Sequence, residues 1–128
     1  MKPTRNLLLA HQRLDAYRVC TELSRSVDDL TRRMPTKGTK DQRDHLKRTA
    51  SAAVRCIVGG AHACKAAQKV EHFAAARRAV GMVAAELEVL KLHGVLSSRQ
   101  AAASLQLCER LVAMLTGLLA KFGGLPPR

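Results

Sequence analysis

The sequence predicts an all-α protein, an antiparallel up-down-up-down four-helix bundle, and three observations carry that expectation. Hydrophobic residues make up 47% of the 128 residues while aromatics make up only 2%. The apolar mass is therefore Leu, Ala and Val, which suits packed helices better than sheets. Four stretches each place apolar residues at alternating steps of three and four, the period of a helix seam facing other helices. Of the four prolines, three (Pro3, Pro126 and Pro127) lie at the termini, so little interrupts helix across the interior. A chain of this length suits a single domain, which buries roughly two-thirds of its unfolded surface. The domain spans residues 1–128, with 1–5 and 123–128 expected to be loose.

The first helix is expected from about Asn6 to Met34, with Cys20, Leu23, Val27, Leu30 and Met34 in phase. It stops at Pro35, and Thr36-Lys37-Gly38 supplies the turn. The second starts at Thr39, where Thr39-x-x-Gln42 has the form of a capping box. Its seam is Leu46, Ala50, Ala53, Ile57, Gly60, Cys64 and Ala67, small residues that would let a neighbouring helix approach closely. Nothing from Ala66 to Val70 breaks a helix, so only the length of an antiparallel bundle places the next turn there. Gly59-Gly60 could instead end the helix early.

The third seam is Phe73, Ala76, Val80, Val83, Leu87 and Leu90, with Gly94 as a C-terminal cap. Ser97-x-x-Gln100 is a second capping box, opening a fourth helix with the seam Ala101, Leu105, Cys108, Val112, Leu115, Leu119 and Phe122. Leu107, Leu111, Met114 and Leu118 widen its apolar arc to about half the circumference. That surplus marks them as an expected oligomer interface, the alternative being a thick core contact with helix three and the N-terminal leucines.

Charge points to a class of partner. The formal net charge is +12, from 22 Lys and Arg against 10 Asp and Glu. Such an excess favours polyanions, chiefly nucleic acid. On the second helix Lys40, Arg43, Lys47, Arg48, Arg55 and Lys65 fall within an arc of about 140° at 100° per residue. They lie opposite the apolar seam, a basic stripe on a rigid rod suited to phosphates. Arg77 and Arg78 on the third helix are expected to extend it. With Tyr17, Phe73 and Phe122 the only aromatics, little is available to stack on bases, which argues against sequence-specific single-strand recognition.

Catalytic and metal patterns are missing. No Glu has a His three residues on, Glu71-His72 lacks a second His four residues later, and no Gly-x-Ser-x-Gly occurs. The expectation is a non-enzymatic protein without a metal or cofactor. Cys20, Cys56, Cys64 and Cys108 show no Cys-x-x-Cys spacing and are expected to be reduced. Leu7 to Ala10 is too short for a signal-peptide core, and Leu111 to Ala120 falls short of the ~20 residues of a membrane helix. A cytoplasmic location and no membrane partner are expected.

Several short motifs resemble one known family. They are Leu14-Asp15-Ala16-Tyr17-Arg18-Val19-Cys20-x-Glu22-Leu23, Pro35, Leu46-Lys47-Arg48-x-Ala50-Ser51, Gly60, and Ala84-Ala85-x-Leu87-Glu88-Val89-Leu90. They resemble the small bacterial four-helix-bundle proteins encoded within intervening sequences of large ribosomal RNA genes, together with the accessory variability proteins of diversity-generating retroelements. Where that family has Asn-Ile-Ala-Glu-Gly, this chain has Cys56-Ile57-Val58-Gly59-Gly60. The family's Gly-Ser and following Glu in helix three correspond to Arg78-Ala79 and Met82. The resemblance implies a homopentameric barrel of bundles and, for the retroelement branch, a basic surface for nucleic acid and a reverse transcriptase partner. The resulting expectation is a homo-oligomeric accessory protein that binds RNA or DNA through the backbone. The alternative is an interaction scaffold whose basic face docks an acidic protein.

Overall fold

The computed structural model describes residues 9–125, and among these four helices form the bundle: α1 (Asp15–Arg33), α2 (Lys40–His62), α3 (Ala66–Leu92) and α4 (Ser98–Lys121). A 3-10 turn, Ala10–Arg13, precedes them. Each helix packs on its neighbour in sequence, α4 returns to α1, and no diagonal pair touches. Residues 34–39, 63–65 and 93–97 are the only connections, too short for anything but antiparallel neighbours. This is the all-α four-helix bundle that the periodicity predicts.

The seams of α1 and α3 are buried along their whole length, Cys20 to Met34 and Phe73 to Leu90. In α2, Leu46, Ala50, Ala53, Ile57 and Gly60 are buried, but Cys64 and Ala67 are exposed. The helix ends at His62, because Ala63 turns extended (φ −67°, ψ 141°) and Lys65 already caps α3. The turn therefore lies at residues 63–65, between the two expected places. Gly59 and Gly60 remain helical, and a Cβ on them would meet the His72 ring at 2.7 Å and the Phe73 ring at 2.6 Å. Close packing of α3 on α2 is what these glycines serve.

Other boundaries depart from expectation for local reasons. Leu14 is extended (φ −87°, ψ 129°), so α1 begins at Asp15; Asn6 to Leu8 lie outside the described residues, as do 1–5 and 126–128. The turn before it folds back onto the end of α2, where a ring nitrogen of His11 hydrogen-bonds one of His62 at 2.9 Å. Thr39 makes no capping box, since its hydroxyl donates to the Pro35 carbonyl inside the loop. Ser97 and Gln100 do make one, with Gln100 N donating to Ser97 Oγ at 3.0 Å and Ser97 N to Gln100 Oε1 at 2.8 Å. Gly94 takes the left-handed conformation (φ +74°) that ends α3. Leu125 is no loose end: it packs against the core, and Gly124 N donates to Leu119 O at 2.7 Å.

The buried line of α4 is Ala101, Ser104, Cys108, Leu111, Leu115 and Leu119, with Leu105, Val112 and Phe122 only half-buried. Ser104 belongs to the core because its hydroxyl meets that of Ser26 on α1 at 2.6 Å, satisfying a polar group that burial would otherwise penalise. Leu111 is fully buried and cannot form a subunit interface. By length and composition α4 could cross a membrane. Only 28% of its most apolar stretch is buried; those buried side chains close the bundle core, and Glu109 and Arg110 stand exposed at mid-helix.

All four cysteines are free thiols. Cys20 and Cys108 are buried, Cys56 is half-buried and Cys64 is exposed. Burial, with Cys108 and Cys56 nearby, pushes the Cys20 thiol from its ordinary 9.0 to about 12. Burial pushes Cys108 to about 11.

Two expectations follow for stability. Gly60→Ala should destabilise by roughly 1–3 kcal/mol through the clash with Phe73. Gly117→Ala, which meets nothing within 4 Å, should stabilise slightly through helix propensity. Chemical denaturation of both variants checks the contrast. The raised thiols keep their protons in the folded chain after the unfolded chain has released them, so their stabilisation is full below pH 9 and lost as pH rises towards about 12. Melts from pH 8 to 11 should therefore show falling stability, with a shallower fall in Cys20→Ala.

Candidate polyanion-binding surface

The outward positions of α1 and α2 carry charge in opposite styles. On α1, Asp15, Arg18, Glu22, Arg25, Asp29 and Arg32 alternate in sign at steps of three and four. Arg18 pairs with Asp15, and Asp29 takes Arg32 at 3.6 Å and Arg33 at 3.2 Å. That face neutralises itself. On α2, Arg48 and Arg55 stand exposed seven residues apart and so point the same way. Arg55 donates to Ser51 Oγ at 2.9 Å, which steadies the guanidinium without cancelling its charge.

The last turn of α1 and the first turns of α2 enclose a groove of about 390 Å³ lined by Thr31, Arg32, Thr36, Lys40, Arg43, Asp44 and Lys47. Four cations line it with one carboxylate, Asp44, and one of the four, Arg32, also meets Asp29 at 3.6 Å. Asp44 accepts from Lys40 Nζ at 2.7 Å, and this bond, reinforced by the charges of Lys40, Lys47 and Arg48, holds its carboxyl below the usual range. The same bond raises Lys40 above the usual ammonium value. Both side chains are open to water, so the pair adds little to stability.

A larger cleft of about 720 Å³ lies between α1 and α4. It gathers Arg18, Arg25 and Arg110, but Asp15 and Glu22 sit among them. Near-balanced charge makes it a poorer cradle for a polyanion than the smaller α1–α2 groove.

The structure thus brings Lys40, Arg43 and Lys47 together in the groove and sets Arg48 and Arg55 along the outward line of the same helix. Lys65 leaves this set, because α2 has ended and Lys65 caps α3. Arg77 and Arg78 also leave it. They line the α3–α4 groove with Ala74, Gly81, Val112 and Leu119, across the bundle from the α1–α2 groove. Arg32 is the residue that helix-by-helix reading misses, since only the antiparallel pairing of α1 with α2 delivers it to the groove.

The expected α4 interface is not an open stripe. Leu107, Met114 and Leu118 are half-buried and pack against the core, joining the fully buried Leu111. A shallow open groove remains between Met114 and Leu118 on one side and Leu14 and Ala16 on the other. Among the described residues, no three His, Cys, Asp or Glu side chains converge as a metal site would require. The chain matches no protein-family model and no curated protein.

Proposed function

We propose that the chain is a non-enzymatic, self-associating accessory protein that binds the phosphate backbone of RNA or DNA along the α1–α2 groove and the outward line of α2. The observation that carries this reading is the charge imbalance in that groove, where Lys40, Arg43 and Lys47 surround the single lining carboxylate and Arg32, shared with Asp29, adjoins them, on a chain of net charge +12. From Lys40 to Arg55 the line rises about 22 Å, a span over which duplex phosphates recur many times. Few aromatics exist to stack on bases, so contacts run to the backbone and sequence preference is weak. The family resemblance supports a role beside a reverse transcriptase, and the unpaired cysteines support cytoplasmic placement.

Filter binding over a salt series tests the reading with random-sequence RNA and DNA. Six cations, Arg32, Lys40, Arg43, Lys47, Arg48 and Arg55, bound the slope of log affinity against log salt at about −5 on duplex DNA. Lys47→Ala with Arg55→Ala should flatten it by about two units and weaken all sequences alike. Lys65→Ala, off the rod, should leave it nearly unchanged. Asp44→Asn should tighten binding, since it removes the one carboxylate and frees Lys40. Failure to bind at low salt, or binding indifferent to salt, overturns the proposal.

A further inference from the structure

α3 is apolar on two opposite sides. Its core seam is complete, yet Ala75, Arg78, Met82, Ala85, Val89 and Leu92 form a second line at alternating steps of three and four. Each residue sits two positions beyond a buried one, Met82 after Val80 and Val89 after Leu87, so the second line points about 200° away from the core. Met82 is 55% exposed, Val89 38% and Leu92 82%, and these are three of the four large hydrophobic side chains exposed among the described residues. Steps of three and four are the spacing that lets one helix seat its side chains between those of another. The line has no partner among the described residues.

Charge identifies what covers it. Arg78 interrupts the line and has no ion-pair partner among the described residues. Glu86 and Glu88 flank Val89 further along the same helix, Glu88 at 3.4 Å from Lys91 and Glu86 with no ion-pair partner among the described residues. A second α3 laid antiparallel, with Met82 against Ala85, sets Arg78 beside Val89 of the other copy and so within reach of that copy's Glu86 and Glu88. Two-fold symmetry makes this match occur twice. A parallel pairing would set Arg78 on Arg78 inside the apolar line, which repulsion disfavours.

We infer that α3 is an isologous docking surface for a second copy of this chain, paired antiparallel along Met82, Ala85, Val89 and Leu92 and fixed in direction by Arg78 against Glu86 and Glu88. This deepens the self-association in the proposed function and does not depend on its nucleic-acid part. It also moves the interface from α4, where the sequence places it, to α3. The line from Ala75 to Leu92 is about 26 Å long. A single helix pair of that length lies at the small end of specific interfaces, so association should depend on concentration in the micromolar range.

Sedimentation and light scattering of the full chain over a micromolar series test the inference. The expected mass rises from the 13.9 kDa chain to twice that value. Met82→Glu with Val89→Glu should hold the chain at one copy with its helical circular dichroism unchanged, because both side chains are exposed. Arg78→Glu should weaken pairing about tenfold through two lost ion pairs. Adding Glu86→Lys and Glu88→Lys to it should restore pairing. A chain that stays single throughout the series overturns the inference, as does a dimer indifferent to the Met82 and Val89 change. A mass of five chains, the number the family resemblance implies, overturns it too, as does charge exchange that fails to rescue. The Met82 and Val89 variant leaves the α1–α2 groove intact, so its salt-dependent binding to RNA reports on the proposed function separately.

Discussion

The bundle depends on how closely α3 approaches α2. A connection of only residues 63–65 sends the chain straight back along the helix it has just left. The small residues Ala50, Ala53 and Gly60 let the two backbones come together. Phe73 fills the space that Gly60 leaves and stacks on Phe122 at 6.2 Å, beyond the end of α4. One ring therefore ties three helices at the same end of the molecule. Lys69, one turn before Phe73, donates to the Gly60 and Ala61 carbonyl oxygens at 3.0 and 3.2 Å and closes the end of α2. In a core so poor in aromatics, this contact sets spacing that Leu and Ala alone would leave less determined.

That constraint bears on charge. A helix whose inner seam is mostly alanine and glycine buries little apolar area, so α2 is held by proximity rather than by large side chains. Its remaining circumference is free to be polar, and it carries cations. α1 has larger seam residues and an outer face where acids and bases alternate. The two meet at the link from Met34 to Thr39, where Thr39 spends its hydroxyl on the Pro35 carbonyl and Arg32 is carried next to Lys40. The groove arises from this meeting, and neither helix alone contains it.

How far the sequence reveals these features follows from what each residue competes with. The α3 seam is fully legible because nothing polar stands in it. The α4 seam is read one position off for part of its length, since Ser104 looks like a surface residue until Ser26 is known to face it. Ser97 and Thr39 precede equally good capping patterns, but Thr39 has a nearer acceptor and Ser97 does not. Periodicity likewise finds the outward cations of α2. It cannot supply Arg32 from the neighbouring helix, and it retains Lys65 only because no residue in the sequence announces the turn at residues 63–65.

The same limit governs surplus apolar surface, which the sequence shows on α4 and the structure leaves most exposed on α3. Both helices carry more apolar residues than one seam requires, and a single helix does not say which neighbour covers the excess. On α4 part of the excess turns inward, with Leu111 in the core and Leu107, Met114 and Leu118 half-buried against it. On α3 the flanks belong to α2 and α4, and among the described residues no element covers the outer line. Cations thus concentrate between α1 and α2 while exposed apolar side chains concentrate on the far side of α3. Pairing through α3 would leave the α1–α2 groove of each copy facing away from its partner. Self-association and phosphate binding can then coexist, with two cationic grooves held in fixed relation on one assembly, an arrangement that raises avidity for a long polyanion without any new contact.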